Sequence, residues 1–406
     1  MPEHARMIPV ISFLMPVNRM KKRIALLLTA FIMLTFCPVA FGQDAVSYYQ
    51  RGITWKIKRE YKQAIEAYTK AIELDPNFSN AYNNRGIVWE IQGDYDRAVE
   101  DYSKAIELDQ LNAAAYFNRG IVWRIKDEYD RAIADYTKAI EFDQQDKEAY
   151  NNRGIVWEIK GEYDRAIADF SQAIELDNKY ADAYYNRGIS WRVKGEYDRA
   201  MADYTSTIEL DPKYADAHYN RGILWEIKKE PDRAMTDYSK AILLEPRHVK
   251  AYYSRALIWK QYGEYERAIE DLGKSIELNP EEAESYNQLA LVLATAPDAL
   301  YRNGNAAVEM AEKSIELTTS TEDMARRMDT LSAAYAEAGR FDEAVQNQEK
   351  TIVLLQRQGV SDLEKYYHRL ALYKENKPYR EQEKVLEKTL EYTKDQKVLP
   401  AVNENY

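Results

Sequence analysis

Five asparagines, Asn84, Asn118, Asn152, Asn186 and Asn220, stand 34 residues apart along the chain. A carboxamide offers both a donor and an acceptor, so a row of them can pair with another polypeptide's backbone whatever its side chains. The same groups could equally cap turns or bond neighbouring helices of their own chain. Residues suited to covalent or metal chemistry follow no such plan. Cys37 is the only cysteine, and beyond it His218, His248 and His368 lie without matching spacing, so no metal site is expected from ligand geometry. No Gly-rich phosphate loop, Gly-x-Ser-x-Gly turn or paired-Cys cluster occurs. Carboxylates are abundant, but their regular recurrence marks outer-face charge. Catalysis needs convergent polar groups and a water-excluding pocket. The pattern points away from an enzyme, and no cofactor is expected.

The elements behind the asparagine row are set by the tryptophans. All seven, Trp55, Trp89, Trp123, Trp157, Trp191, Trp225 and Trp259, also stand 34 residues apart. That period signals a stacked repeat, in which each unit packs only on its neighbours. Such an array makes surface rather than a pocket. In the unit 79–112, Tyr82, Gly86 and Trp89 follow i, i+4, i+7, one face of a helix. After a break at Gly93-Asp94, Tyr95, Ala98, Tyr102 and Ala105 mark a second helix. The unit is therefore two antiparallel helices joined by a two-residue turn, and the fold class is all-α. Low Gly and Pro suit it, and so do 46% hydrophobic and 30% charged residues. Neither helix would stand alone in water, so stacking must supply the stability.

The unit resembles the tetratricopeptide repeat (TPR), through Tyr82-x₂-Arg85-Gly86-x₂-Trp89 and then Ala98-x₃-Tyr102. The closing proline appears as Pro76, Pro212, Pro246 and Pro280 but is missing from the second to fourth units. The resemblance implies a right-handed α-solenoid of helix pairs, a TPR superhelix. It predicts seven regular units over 45–282 and two divergent ones over 283–357, with an insertion near 297–305. A closing helical segment at 358–380 and a charged tail at 381–406 complete the chain, the tail read as a frayed helix. In this family the first helices line a concave wall that binds peptides. Carried over by position, the wall here would hold Asn84, Asn118, Asn152, Asn186 and Asn220. The residues just before them, Tyr49, Asn83, Phe117, Asn151, Tyr185, Tyr219 and Tyr253, would add side-chain contacts. Ile87, Ile121, Ile155, Ile189 and Ile223 either floor an apolar groove or pack between units, with packing favoured by the broad apolar coverage of the first helix.

Seven copies in one chain allow comparison by position. Arginine stands before each repeat glycine or its equivalent: Arg51, Arg85, Arg119, Arg153, Arg187, Arg221 and Arg255. Asp101, Asp135, Asp169, Asp203, Asp237 and Asp271 come sixteen residues after the last six. Where the arginine becomes Leu289 or Leu331, the later position is Met310 or Asn347; only Arg51/Ala67 breaks the rule. A partly buried, structural Arg–Asp pair between the two helices is expected. A second series alternates in sign, Lys56, Glu90, Arg124, Glu158, Arg192, Glu226 and Lys260, and should form a charge ladder down one face. The tryptophans read as core wedges, worth ~3–5 kcal/mol each if fully buried. Pro231 replaces the aromatic that opens the second helix elsewhere, so a looser junction is expected near 228–235.

Lys21-Lys22-Arg23, the apolar run Ile24–Phe36 and Ala40-Phe41-Gly42 read as a secretory signal over 20–42. Residues 1–19 read as a doubtful extension before a true start at Met20. An uncleaved membrane anchor is the alternative, with Met7–Val17 lengthening the segment. An extracytoplasmic, periplasmic or secreted location is therefore expected. The net charge of −11 and the absence of a basic stripe argue against nucleic acid. The function implied is a protein-interaction scaffold whose ligand is a peptide segment of an envelope protein. A self-associating array and an accessory subunit of an enzyme or assembly complex are the alternatives.

Overall fold

The computed structural model describes residues 44–381, and all regular structure among them is helical. The expected signal at 20–42, the extension at 1–19 and the tail beyond Glu381 lie outside the described residues. The chain divides into two compact bodies between Gln145 and Asp146.

The first body holds three helix pairs: α1 (Ala45–Ile57) with α2 (Tyr61–Leu74), α3 (Ser79–Ile91) with α4 (Tyr95–Leu108), and α5 (Ala113–Ile125) with α6 (Tyr129–Phe142). The second opens with α7 (Lys147–Ile159), α8 (Tyr163–Leu176), α9 (Ala181–Val193), α10 (Tyr197–Leu210), α11 (Ala215–Ile227) and α12 (Pro231–Leu244). It continues through α13 (Val249–Gln261), α14 (Tyr265–Leu278), α15 (Ala283–Thr295), α16 (Gly304–Glu316), α17 (Thr321–Glu337), α18 (Phe341–Arg357) and α19 (Glu364–Lys374). Within each body the helices of a pair pack on each other, and the second helix of a pair packs on the first of the next.

Local chemistry sets the two kinds of turn. Between the helices of a pair one residue must be left-handed, and glycine fills this place at Gly93, Gly161, Gly195 and Gly263, with φ of 71° to 79°. Arg59, Asp127 and Lys229 take the same conformation, which costs a side-chain-bearing residue ~1–2 kcal/mol. Between pairs, an aspartate turns the chain. Asp75, Asp109, Asp143, Asp177 and Asp211 accept a hydrogen bond from the backbone N–H two residues on, at 3.0–3.2 Å. This Asx turn explains how the second to fourth units end without the closing proline.

The core of each pair is a ring laid on a glycine. Tyr68, Tyr102, Tyr136, Phe170, Tyr204 and Tyr238 are fully buried. They lie so close over Gly52, Gly86, Gly120, Gly154, Gly188 and Gly222 that an added Cβ would come within 2.4–2.8 Å of the ring. In the seventh pair Leu272 takes the ring's place and Ala256 the glycine's; the smaller side chain admits the methyl group. The tryptophans are less buried than expected. Only Trp259 is buried, at 5% exposure, while the others are half-covered. Trp89 packs on Ala98, Tyr102 and Val122, and its outer face is covered by Arg97, 3.9 Å from the ring centre. Equivalent arginines cover Trp123, Trp157, Trp191, Trp225 and Trp259 at 4.6–4.8 Å.

The insertion after α15 forms a short 3₁₀ turn, Ala299–Tyr301. The closing helix is shorter than its predicted span, because a non-helical stretch from Glu375 to Glu381 folds back against α15 and α17. At Pro231 the missing aromatic is compensated from the next pair: Tyr262 is buried beside Met235, and its hydroxyl donates to Asp232 at 2.5 Å.

Candidate functional site

The first helices carry every residue of the expected wall, and an Arg–Asp clamp fixes where they sit. Arg85 donates Nε and Nη2 to the two oxygens of Asp101, both at 2.8 Å. The same two-pronged geometry holds for Arg119–Asp135, Arg153–Asp169, Arg187–Asp203, Arg221–Asp237 and Arg255–Asp271. Each aspartate is buried. The remaining Nη1 reaches one pair back, from Arg85 to Thr69, Arg119 to Ser103, Arg187 to Ser171 and Arg255 to Ser239, at 2.9–3.2 Å. Each of these clamps thus also latches the preceding pair. Leu289 packs against Met310 instead, and Asn347 bonds Met328 O and Ser332.

The asparagine row is engaged with its own chain. Asn84 Nδ2 donates to the Tyr49 hydroxyl at 3.0 Å, and Asn118 Nδ2 to Asn83 Oδ1 at 3.1 Å. In the second body Asn186 donates to Asn151 Oδ1 at 3.0 Å and Asn220 to the Tyr185 hydroxyl at 3.1 Å. One rule covers all four: the amide bonds the residue 35 positions earlier, whether tyrosine or asparagine. Asn152 donates to Glu148 O of its own helix at 2.8 Å, and Lys56 donates to Asn84 Oδ1 at 2.7 Å. Asn83, Asn118, Asn151 and Asn220 are buried. The aromatic members of the companion series face inward, Tyr49, Phe117, Tyr185 and Tyr219 lying 5.7–5.9 Å from the core rings Tyr68, Tyr136, Tyr204 and Tyr238. Tyr253 stands near Glu284, its hydroxyl 3.4 Å from Oε1. The amide bonds tie successive pairs together, and the ring contacts join the two helices of one pair.

The charge ladder is half-buried. Glu90 accepts from the Tyr102 hydroxyl at 2.6 Å and Glu158 from Ser190 at 2.9 Å, while Glu226 accepts from the Tyr238 hydroxyl. Burial pushes the carboxyl groups of Glu90, Glu158 and Glu226 above the ordinary glutamate range. Arg124 and Arg192, the next rungs after Glu90 and Glu158, pull in the opposite direction.

Beside the ladder runs a series that the sequence reasoning missed. The last residue of six successive first helices is aliphatic and exposed: Ile57, Ile91 and Ile125 in the first body, Ile159, Val193 and Ile227 in the second, between 42% and 70%. Their signal was available, an apolar side chain two residues after each of six tryptophans, off the face that packs. The isoleucines earlier on the same helices join the core instead, with Ile87, Ile189 and Ile223 packed into their clusters.

The histidines are dispersed. His218 Nδ1 lies 3.0 Å from Asp237, His248 Nε2 lies 3.3 Å from Asp216, and His368 is exposed. Among the described residues no group of three or more His, Cys, Asp or Glu could hold a metal ion. No helix of the described residues is long and apolar enough to cross a membrane.

Matches to the family described as tetratricopeptide repeat fall at residues 45–78, 79–111, 113–146 and 249–282, with another at 324–357. Matches described as TPR repeat fall at 159–190 and 192–226. Comparison with curated proteins gave no match. Among solved structures the chain is similar to YrrB, described as a TPR protein with an unusual peptide-binding site. Identity is 29% and the TM-score 0.42, over 47% of this chain and 99% of that one. It is similar to MamA at 30% identity and a TM-score of 0.38, over 41% of this chain and 96% of that one. A tetratricopeptide repeat protein from Parabacteroides merdae matches at 20% identity and a TM-score of 0.48, over 68% of this chain and 100% of that one.

Proposed function

We propose that this chain, which belongs to the tetratricopeptide repeat family, is a non-enzymatic scaffold whose first helices hold an extended peptide segment of a partner protein. The exposed aliphatic series carries this reading, with one apolar side chain per helix pair at the end of each first helix. Neighbouring helix axes lie about 10 Å apart, and an extended chain advances about 3.3 Å per residue. A bound segment would therefore set every third residue on a rung. The asparagines stiffen the wall from behind, and the half-buried charges beside the series select the sign of the flanking residues. An apolar row exposed at one recurring position of successive first helices is what a docking face requires.

The test is a nine-residue peptide with an apolar residue at every third position, titrated by fluorescence anisotropy. Ile91→Asp and Ile125→Asp should each weaken binding by about tenfold or more, the worth of one buried aliphatic side chain. Glu100→Ala, on the opposite helix, should leave it unchanged. Unaltered affinity in both isoleucine variants would sink the reading. A mass that rises with protein concentration, and falls back in the same variants, would favour the self-associating array instead. An extracytoplasmic location is part of this proposal and rests on residues 20–42. A mature N-terminus just after Gly42, read by mass spectrometry, is its check.

A further inference from the structure

Arg380 and Glu381 lie across the ends of three successive first helices. Arg380 pairs with Glu337, the last residue of α17, at 2.5 Å and reaches Ala294 O at 3.4 Å. Glu381 donates its backbone N–H to Thr295 O, at the end of α15, at 3.0 Å. Its carboxylate pairs with Lys260 of α13 at 3.0 Å. These two residues therefore run opposite to the helix order, from α17 over α15 to α13. Thr295 ends its helix where earlier first helices end in Ile or Val, and Lys260 is a rung of the charge ladder. The chain thus seats a piece of itself at the positions proposed for a partner.

Sixty-eight residues, or two helix pairs, before Thr295 and Lys260 stand Ile227 and Arg192. The last four carbonyls of a helix have no partner within it. In α11 the following turn takes Leu224 O, Trp225 O and Glu226 O, which leaves Ile227 O without a backbone partner among the described residues. Its counterpart, Thr295 O, is the atom to which Glu381 donates. Arg192 is half-buried, and its Nε has no hydrogen-bond partner among the described residues. The carboxylates on the neighbouring rungs are engaged elsewhere, Glu158 with Ser190 and Glu226 with the Tyr238 hydroxyl. Exposed Val193 and Ile227 flank the place.

We propose that Ile227 O and Arg192 seat an acidic residue of an extended partner segment as Thr295 O and Lys260 seat Glu381. The partner's N–H bonds the helix-end carbonyl, its carboxylate pairs with the guanidinium, and its chain runs opposite to the helix order. The inference rests on the reading that this wall accepts an extended segment, and it adds that segment's charge and direction. A carboxylate fits because its two oxygens match the two-pronged donor of an arginine, and a half-buried pair is screened less by salt than an exposed one.

Two nine-residue peptides test it by fluorescence anisotropy on the full chain. Both carry apolar residues at the first, fourth and seventh positions, with either Glu or Lys at the fifth. The Glu peptide should bind about fivefold more tightly or better, the upper range for one exposed ion pair. Arg192→Gln should bring the two to equal affinity, and its binding of the Lys peptide at undiminished strength shows that the variant is folded. Equal affinities for the native chain, or a Glu preference that survives Arg192→Gln, would overturn the inference and leave the scaffold reading standing. Binding of neither peptide would sink both. Isoleucine-methyl spectra read the direction. A nitroxide on the C-terminus of the Glu peptide should broaden the signal of Ile159, two pairs beyond the seat, and one on its N-terminus should spare it; the reverse pattern would overturn the direction. A doubled mass of the peptide-free chain that the Glu peptide halves would give the seat to a second copy and overturn the partner assignment.

Discussion

Gly86→Ala places a methyl group 2.7 Å from Cε1 and 2.9 Å from Cδ1 of the Tyr102 ring. That ring cannot swing aside, because it is fully buried and its hydroxyl is tied to Glu90. Overpacking of this kind costs ~1–3 kcal/mol, while alanine's better helix propensity returns ~1 kcal/mol. The net effect is a loss of up to ~2 kcal/mol. Tyr102→Leu alone removes ring volume and a hydrogen bond and should also destabilise, by ~1–3 kcal/mol. Made together, the two changes reproduce the native Ala256/Leu272 pair. The methyl group then meets open space and contributes only its propensity, so the double variant should be ~1–3 kcal/mol more stable than the two singles summed. Stacked repeats need not unfold in one step. The assay is therefore native-state hydrogen exchange, reading local opening free energies for the amides of α3 and α4. Additivity within ~0.5 kcal/mol would show that ring and glycine are not matched to each other.

The Arg–Asp clamp predicts asymmetry. Asp135→Ala leaves the Arg119 guanidinium buried without its partner and should cost ~3–5 kcal/mol, whereas Arg119→Leu with Asp135→Met should cost less than that single change, as denaturation midpoints would show. Burial raises the Glu90 carboxyl, so the folded state keeps its proton where the unfolded chain has lost it. Stability from this group is then present at low pH and falls as pH rises through the raised value. Glu90→Gln, which can still accept from Tyr102, should accordingly stabilise the protein at pH 7 and lose that advantage below the ordinary value of 4.5; a pH series of melting curves checks the sign. Trp259→Ala should cost ~3–5 kcal/mol, and Trp89→Ala distinctly less because its ring is only half-covered, a comparison made in one denaturation experiment.

The repeat was legible because tryptophan, glycine and the buried tyrosine recur at one spacing, and helix pairs follow from that spacing alone. The clamp was legible for a different reason: Leu289 and Leu331 lose their arginine together with the matching aspartate, so the chain supplied its own comparison. The wall was harder to read. Asn118 and Asn83 are both polar and both on a first helix, and nothing local tells whether two amides face a ligand or each other. That depends on a contact 35 residues away, which periodicity cannot orient. Ile87 and Ile91 show the same limit from the apolar side. They differ by four positions, yet one joins the core and the other ends its helix beyond the reach of the next pair. Half-coverage of the tryptophans was missed because an arginine eight residues on, rather than more core, closes the outer face of the indole.

The alternation of sign along the half-buried ladder limits how such a chain can grow. Excising the helix pair of Glu90 from the first body, or that of Arg192 or Glu226 from the second, would bring two like charges onto adjacent half-buried rungs. Excising two consecutive pairs would restore the order. Tandem arrays of this design should therefore gain and lose length in steps of 68 residues, an arithmetic of even numbers imposed by electrostatics on gene duplication.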